Sequence, residues 1–166
     1  FRSGFINKKG VVVIPLTYAS VEPFSDGLAK VNVGGTWGNS NFVRGGKWGF
    51  IDKAGKPIIP VKYDNIGEFA EGLAPVEVKS KYGFIDRQGK VIIPLKYDRA
   101  AQFSEGLAPV GRESDIAEGT RWGYVDKSGN EVIPLQYDDW NFFKNGKASV
   151  KMQSRSFYID KTGKEV

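Results

Sequence analysis

A four-residue phrase of glycine, an aromatic residue, an aliphatic residue and aspartate recurs along this 166-residue chain. It stands as Gly49-Phe50-Ile51-Asp52 and recurs, with small variations, at starts 4, 83, 123 and 157. Each copy is followed, after two further residues, by a glycine. The steps between starts are 45, 34, 40 and 34 residues, so the period is 34 with insertions of 11 and 6. Self-similarity at a fixed period is typical of repeats that stack to share one core.

Four copies continue into Ile-Pro-x-x-Tyr and then reach a phenylalanine, a glycine-centred turn and a β-prone segment. The stretches 47–56 (KWGFIDKAGK) and 103–110 (FSEGLAPV) resemble the WG repeat, also called the KWG repeat, found mainly in bacteria. The Trp-Gly pair itself survives as Trp48-Gly49 and Trp122-Gly123, while the other copies carry Ser3-Gly4, Tyr82-Gly83 and Ser156-Phe157. The resemblance implies a β-rich interaction module of propeller or solenoid type without a common catalytic activity.

One repeat predicts a four-stranded antiparallel meander. Leu73–Val78 (strand A) and Lys81–Asp86 (strand B) are β-prone and separated by a short turn. Strand C is predicted over residues 90–93, ending at Pro94 because proline lacks the N–H that a ladder needs. Three antiparallel strands leave the chain at the wrong end for the next copy, so residues 97–103 must cross back as strand D.

The predicted fold class is therefore all-β, with tandem antiparallel β-meander repeats. We expect a propeller-like incomplete arc of about four to five short blades, because four short strands per repeat is the pattern of a propeller blade. An open β-solenoid is the alternative, since 34 residues is short for a blade. The chain is read as a single WG-repeat domain over residues 1–166, with repeat cores starting near 4, 49, 83, 123 and 157.

Composition excludes several kinds of chemistry. The chain has no cysteine and no histidine, which removes disulfides, thiolate metal sites, the usual zinc ligand and the usual general base. We predict no cofactor and no transmembrane segment, because no apolar run approaches the roughly 20 residues that span a bilayer. The chain starts at Phe1 without a signal-peptide pattern, which we interpret as a processed protein or an excised piece. An extracytoplasmic or cell-surface location is favoured over the cytoplasm, and the oligomeric state is left open.

The repeated polar residues predict architecture and not chemistry. The aspartates that close the repeated phrase stand at the entry of a hairpin turn, where a carboxylate accepts backbone N–H bonds. Gly89 fits the left-handed position of such a turn, so we expect the turn glycines to matter more for folding than any charged residue. In each of three copies an aspartate follows the tyrosine at the corner between strands C and D, and it is interpreted in the same way, as a turn cap: Asp64, Asp98 and Asp138.

The insertions are more informative, because the repeat does not require them. The first, residues 34–46, is interpreted as a packed loop or a decayed extra Trp-Gly unit on architectural grounds alone. The functional hypothesis is a binding loop, since tryptophan and arginine dominate binding hot spots. The second, residues 111–121, is mixed in charge, and its carboxylates Glu113, Asp115 and Glu118 have no fixed separation. The candidate partner-binding residues are Trp37, Asn39, Asn41, Phe42, Arg44, Arg112 and Arg121.

Both insertions fall between strands A and B, so we expect them on one rim of the array. Lysines and arginines concentrate at the B–C turns, and we expect these to form an opposite, basic rim that gives salt-sensitive attraction. The favoured function is a non-catalytic protein-interaction or scaffold module, such as a structural subunit of a larger assembly. A carbohydrate or cell-wall binding module, with polysaccharide as partner, is the alternative, and a glycosidase-type enzyme ranks third. Specific nucleic-acid binding is not expected.

We predict that the purified protein carries no stoichiometric transition metal and hydrolyses no glycoside. The reason is the absence of histidine and cysteine together with the turn-capping role of the repeated carboxylates. Elemental analysis and glycosidase assays check this, and one bound zinc or iron per chain would contradict it.

Overall fold

The structure is a computed structural model that describes residues 1–38, 43–114 and 119–166, and within these ranges every regular element is a β-strand. The described residues form two compact units, Phe1–Ile66 and Gly67–Val166. The strands of the first unit are β1 (Ser3–Ile6), β2 (Val12–Tyr18), β3 (Ser20–Val21), β4 (Leu28–Val33), β5 (Thr36–Trp37), β6 (Val43–Arg44), β7 (Lys47–Asp52), β8 (Pro57–Tyr63) and β9 (Asn65–Ile66). Those of the second unit are β10 (Leu73–Val78), β11 (Lys81–Asp86), β12 (Val91–Tyr97), β13 (Arg99–Ala100), β14 (Leu107–Glu113), β15 (Thr120–Asp126), β16 (Glu131–Tyr137), β17 (Lys147–Met152) and β18 (Arg155–Asp160).

The strands pair into small antiparallel sheets, here called blades, in the order D, A, B, C. In the first unit β3, β4, β7 and β8 form a complete blade, β1 and β2 form a B–C hairpin, and β5 and β6 form a separate hairpin. In the second unit β13 to β16 form a complete blade, β10 to β12 supply strands A, B and C, and β17 and β18 supply A and B of the last blade. The predicted all-β fold of tandem antiparallel meanders is confirmed. The arrangement of the blades as an arc stays a prediction.

Strands A and B have the predicted bounds, whereas the predictions for strands C and D were wrong in extent. Strand C runs through Pro94 as Val91–Tyr97, and strand D is only Arg99–Ala100. The first insertion lies between β4 and β7, as predicted, whereas the second was predicted too long. Residues 111–113 extend β14 and residues 120–121 belong to β15, which leaves 114–119 between strands A and B. The placement of both insertions on one common rim stays a prediction.

The reason that strand C continues past proline is a bulge opposite the glycine of strand B. Tyr82 faces Tyr97 and Phe84 faces Ile93, so the single residue Gly83 stands opposite three residues of strand C. A Cβ added at Gly83 would lie 2.4 Å from the Ile93 carbonyl oxygen and 2.8 Å from the Leu95 nitrogen. Strand C therefore bows closely around a residue without a side chain. Because Pro94 sits in this irregular stretch, its missing N–H does not interrupt a regular ladder.

The same close approach recurs in each repeat that keeps the glycine. A Cβ at Gly49 would lie 2.6 Å from the Ile59 oxygen, and one at Gly123 would lie 2.4 Å from the Ile133 oxygen. Real Cβ atoms do not approach backbone oxygens this closely, because the contact is far inside van der Waals distance. The glycine of the repeated phrase is therefore required by backbone packing and not by its torsion angles.

The B–C turns form as predicted. The Asp86 carboxylate accepts hydrogen bonds from the backbone nitrogens of Gln88 and Lys90, both at 2.9 Å. Gly89 has φ +81°, the left-handed region that a side chain disfavours, and its N–H donates to the Asp86 carbonyl at 3.0 Å. The same pair of side-chain bonds is made by Asn7, Asp52, Asp126 and Asp160.

Neighbouring blades within a unit bury apolar side chains between their facing sheets. In the second unit Ile93 of strand C belongs to one buried cluster with Ala108, Val110 and Val125 of the next blade. The Phe84 ring meets Phe103 edge-on at 5.0 Å, and Tyr124 meets Phe143 in the same way at 5.0 Å. In the first unit Ile14 clusters with Ala29, Val31 and Ile51. The apolar face that a strand turns toward the next blade is thus covered by that blade.

The corner aspartates are not local turn caps, and that prediction was wrong. Asp98 forms an ion pair with Lys81 at the start of strand B and accepts a hydrogen bond from the Glu113 nitrogen at 3.0 Å. Asp138 pairs in the same way with Arg121, and in the first unit Asp64 pairs with Lys47. The Lys81 ammonium, followed by the Glu113 N–H, lowers the pKa of Asp98 against the opposing effect of burial. Each corner therefore joins strand B of its own blade, and Asp98 also binds strand A of the next blade.

A second set of carboxylates links the turn before strand A to the next blade. Glu105 accepts hydrogen bonds from the nitrogens of Asn145 at 2.6 Å and Gly146 at 2.9 Å, and its carboxylate lies 3.3 Å from the Lys161 ammonium. The Gly146 N–H is the main cause that lowers the pKa of Glu105. Glu71 repeats the arrangement with the Gly106 nitrogen and the Lys127 ammonium, the latter at 3.0 Å. Lys127 and Lys161, two lysines of the B–C turns, are thus paired with carboxylates, so they add less positive charge to the predicted basic rim.

We expect Gly83→Ala to lower the free energy of unfolding by on the order of 3 kcal/mol, because the added methyl group would meet immovable backbone of strand C. The matched control in the same repeat is Gly72→Ala. Gly72 has φ +89° and open space around its Cβ position, so only torsional strain of about 1–2 kcal/mol applies there. Chemical denaturation of both variants measures the difference. Equal losses would contradict the bulge as the tighter constraint.

We also expect the inter-blade carboxylates to make the protein acid-sensitive. Because the folded-state pKa values of Asp98 and Glu105 are lowered, their contribution to stability is present above the ordinary carboxyl pKa of about 4. It is lost as the pH falls through the lowered folded-state values. Asp98→Asn and Glu105→Gln should therefore lower the melting temperature at neutral pH and flatten its decline in acid.

The control for this experiment is Glu113→Gln, because the Glu113 side chain is 66% exposed and its Arg99 partner lies at 3.4 Å. Thermal melts between about pH 7 and pH 2 compare the three variants with the wild type. A pH dependence that is the same in all four proteins would show that the inter-blade carboxylates do not stabilise the fold.

Candidate functional site

The first insertion contains a small hairpin that presents Trp37. In β5 and β6 Thr36 stands opposite Arg44 and Trp37 opposite Val43. The Trp37 indole N–H donates a hydrogen bond to the Ala19 carbonyl at 2.8 Å, and the residue is nevertheless 43% exposed. One edge of the ring is therefore fixed to the blade while much of the rest is open to solvent.

The root of this hairpin is held by Asn32, a buried residue of strand A. Its amide nitrogen donates to the Gly45 carbonyl at 3.1 Å, and its amide oxygen accepts from the Gly35 nitrogen at 3.0 Å. A Cβ at Gly46 would lie 2.5 Å from the same amide oxygen, so both ends of the insertion press against one side chain. A buried amide with its hydrogen bonds satisfied fixes the entry and the exit of the loop.

Beside the hairpin lies a groove of about 460 Å³. The Arg2 guanidinium donates to the Thr17 carbonyl at 3.1 Å. The residues that line the groove are Phe1, Arg2, Ala19, Gly35, Thr36 and Trp37. An aromatic face next to a concave surface is the kind of site that takes up a partner side chain.

The structure brings only part of the predicted binding set together. Arg44 lies on the same hairpin as Trp37, but it faces Thr36 and lies across Gly38, where an added Cβ would be 3.3 Å from the Arg44 Nε atom. Successive residues of a strand point to opposite faces, so Trp37 and Arg44 present their side chains on opposite faces of the hairpin. Three predicted residues lie outside the described part of the chain: Asn39, Asn41 and Phe42.

Arg112 and Arg121 stand opposite each other at the root of the second insertion, and each has a partner within the repeat. Arg112 lies 3.3 Å from the Glu131 carboxylate and 5.5 Å above the Tyr97 ring. The Tyr97 hydroxyl donates to the same carboxylate at 3.0 Å. Burial, followed by this carboxylate, raises the pKa of Tyr97. The contacts give both arginines a structural role, and their role in binding stays a prediction.

An aromatic cluster that was not predicted from the sequence lies at the D segment of the last blade. The Trp140 ring lies 5.2 Å from Trp122 and 5.0 Å from Phe142, measured between ring centroids. Aligning the repeats reveals it, because Ala100 and Ile66 occupy the position of Trp140 in two preceding copies. The signal in the sequence is thus a substitution at constant repeat length and not an insertion.

The described residues contain no group of three or more histidine, cysteine, aspartate or glutamate residues placed to hold a metal ion. In the same ranges no helix is long and apolar enough to cross a membrane.

Comparison with solved structures gives a likeness at the level of the fold. The chain matches a structure described as "Crystal structure of the eukaryotic initiation factor" with a TM-score of 0.55 and 11% identity, over 95% of this chain and 46% of that chain. The chain thus spans less than half the length of that protein, and at this identity only the fold is shared. No curated protein matches the chain. The WG containing repeat family matches residues 4–37, 48–82, 82–112 and 122–154, which is most of the sequence. This chain belongs to the WG containing repeat family.

Proposed function

We propose that this chain is a non-catalytic protein-interaction module, and that it binds a protein partner through the hairpin of the first insertion. The observation that carries the proposal is the state of Trp37, whose indole N–H is anchored to the Ala19 carbonyl while 43% of the residue stays exposed beside the groove. The repeat itself does not require a tryptophan here, because the other A–B connections lack one.

The energetic reason is preorganisation. Binding costs free energy when flexible side chains must be ordered, and a ring already fixed in place avoids much of that cost. Asn32 holds the two ends of the insertion, so the hairpin that carries Trp37 has a rigid base. Burying an aromatic side chain of this kind in a partner pocket is typical of hot spots, which contribute about 2 kcal/mol or more each.

The remaining polar groups support a binding role over catalysis. The repeated aspartates cap turns, and Asp98, Glu71 and Glu105 join blades, so these carboxylates are occupied by architecture. In the second insertion Glu113 lies 3.4 Å from Arg99, while Asp115 and Glu118 lie outside the described residues. A paired-carboxylate site for glycoside hydrolysis therefore has no support from the described geometry.

A scaffold role in a larger assembly follows from the same surface. A tandem repeat presents its departures from the repeat on a stable frame, so a loop can acquire a partner without disturbing the core. The net charge of +5 adds a general attraction for acidic partners that weakens as salt is raised.

The test compares Trp37→Ala with the wild type in binding to a partner identified by crosslinking and then purified. We expect the affinity to fall about 30-fold or more, which corresponds to a hot spot of 2 kcal/mol. We expect the melting temperature to change little, because much of the ring is solvent-exposed. The partner affinity of Trp37→Phe should lie between those of Trp37→Ala and the wild type, since phenylalanine retains a ring but lacks the N–H that bonds to Ala19.

The matched control is Tyr158→Ala, which removes another exposed aromatic side chain from a strand. It should leave partner affinity unchanged. If Trp37→Ala unfolds the protein, the insertion is core packing. If it binds the partner as tightly as the wild type does, the hairpin is not the binding surface.

A further inference from the structure

The net positive charge of the chain lies entirely in its first unit. Residues 1–66 contain nine lysine and arginine residues and four aspartate and glutamate residues, which gives a net charge of +5. Residues 67–166 contain fifteen of each kind and are neutral overall. Because charge effects are screened within about 10 Å, a charge that is confined to one unit acts locally. The first unit is therefore the part of the molecule that attracts anionic partners.

Four cations of this unit that lack a carboxylate partner stand at its two B–C turns. Elsewhere in the unit the Lys30 ammonium lies 2.7 Å from the Glu22 carboxylate, and Lys47 pairs with Asp64. In the second unit two lysines at the corresponding turn position are neutralised by the inter-blade carboxylates. Among the described residues no carboxylate pairs with the four turn lysines of the first unit, which are Lys8, Lys9, Lys53 and Lys56.

The two turns are neighbours, and the first is held in a fixed conformation. A Cβ built at Gly55, in the second turn, would lie 3.4 Å from the Cγ1 atom of Ile14 in β2. In the first turn the Asn7 side-chain oxygen accepts hydrogen bonds from the nitrogens of Lys9 at 2.9 Å and Val11 at 3.1 Å. The Asn7 N–H donates to the Val11 carbonyl at 2.9 Å. The backbone that presents the lysines is thus ordered before a ligand arrives, which lowers the cost of binding.

The first turn differs from the others in the residues that follow its glycine. Gly10 is followed by Val11, Val12 and Val13, which are 57%, 49% and 50% exposed. In the other B–C turns the residue after the glycine is polar: Lys56, Lys90, Asn130 and Lys164. Lysines that serve only to protect a turn and keep it soluble do not need three exposed apolar residues beside them.

The exposure of this end of strand C does not depend on whether a blade precedes it. In β16 the positions of Val12 and Val13 are occupied by Glu131 and Val132, and both residues are exposed. The blade that contains β16 nevertheless packs against the preceding blade, because Val125 of its strand B belongs to a cluster with residues of that blade. The start of strand C therefore faces solvent also where blades are stacked.

We propose that the β1–β2 tip, residues 8–13, binds the surface of an anionic lipid bilayer. The three valines enter the boundary between the headgroups and the acyl chains, while Lys8 and Lys9 stay at the level of the lipid phosphates. The neighbouring turn adds Lys53 and Lys56 to the same surface. Burial of apolar side chains and attraction of lysines to anionic headgroups add to each other, so a tip that combines both binds such a bilayer.

A bilayer fits the tip better than the other anionic partners do. A nucleic acid would be drawn to the same lysines, but its phosphate backbone makes no use of exposed valines. An acidic protein would need a pocket shaped to the valines, which protrude beside a turn. A bilayer accepts an apolar protrusion without a preformed pocket, and it offers anionic groups around the point of entry.

The tip is separate from the partner-binding hairpin of the first insertion. The tip lies at the start of β2, whereas Trp37 is bonded to Ala19, which follows the other end of β2. The two surfaces take different partners and share no residue. The variant Trp37→Ala should therefore bind vesicles as the wild type does, so the two proposals can fail independently.

The first experiment measures flotation of the full chain with vesicles of phosphatidylcholine, alone or with about one-third phosphatidylserine. We expect binding to the vesicles that contain phosphatidylserine, little binding to phosphatidylcholine alone, and weaker binding as salt is raised. Each lysine near an anionic surface contributes roughly fivefold in affinity, so Lys8→Glu combined with Lys9→Glu should lower the affinity about 30-fold or more. Equal binding to both kinds of vesicle, or to neither, would overturn the proposal.

The control for charge is Lys147→Glu combined with Lys151→Glu, which changes the net charge by the same amount on exposed lysines of β17. These substitutions should change the affinity by no more than about twofold, because screening confines the attraction to charges near the bilayer. If the two double variants lose affinity equally, the vesicles respond to net charge alone and the tip is not the binding surface.

The apolar contribution is tested with Val11→Ser combined with Val12→Ser. We expect the affinity for vesicles to fall about tenfold, since buried valine side chains favour transfer out of water. The matched control is Val91→Ser combined with Val132→Ser, which removes exposed valines at the same end of strand C in the second unit. If the variants at Val11 and Val12 bind as the wild type does, the lysines act on any polyanion and the bilayer proposal fails.

A fluorescent label reports insertion directly. The chain has no cysteine, so Val12→Cys places one environment-sensitive fluorophore on the tip. Its emission should shift to the blue when vesicles with phosphatidylserine are added, because the label leaves water. The same label at Val91→Cys, the corresponding position of the second unit, should not shift. An unchanged emission at position 12 on vesicles that bind the chain would contradict insertion of the tip.

Discussion

The close contact between the glycine of strand B and the bowed strand C is the constraint on which each repeat that keeps this glycine depends. With Gly83 opposite three residues of strand C, the chain gains length on one side of the pair and turns sharply. This turn brings Tyr97 inward, where it is fully buried, and points the chain toward the corner that begins strand D. A side chain on the glycine would push strand C outward and remove both consequences. The repeated phrase therefore encodes the shape of the blade through the absence of one Cβ atom.

Much of the fold could be predicted because the relevant forces act between residues close in sequence. Strands A and B were bounded correctly because short turns enclose them, and the Asp86 cap joins residues two and four positions apart. Strand C was predicted too short because Pro94 was assessed against a regular ladder, and the bulge removes that ladder at the proline. The partners of Asp98 lie 17 residues before it and 15 residues after it, so only the folded chain reveals its role.

The Trp37 hairpin and the Trp140 cluster also differ in how far they could be predicted from the sequence. Trp37 could be predicted as a binding residue because it lies in an insertion, where the repeat pattern does not specify the residue type. Its anchoring by Ala19 and the buried Asn32 beneath it could not be predicted, because both depend on how the insertion folds back on the blade. Trp140 was missed because it preserves the repeat length. Its contact with the Trp122 ring joins residues that are far apart in the sequence, so only the folded chain reveals it.

The carboxylates that link successive blades bear on how such an array changes in evolution. Glu71 pairs with Lys127 and Glu105 with Lys161, so each junction within the second unit takes one charge from each of two adjacent repeats. A duplicated repeat brings its own carboxylate and its own lysine, and both find complements in the copies on either side. Unequal recombination between repeats can therefore lengthen or shorten the gene without leaving an orphan charge at the new junction. The number of repeats can then change as selection changes the size of the surface, while the charge pairing at each junction is kept.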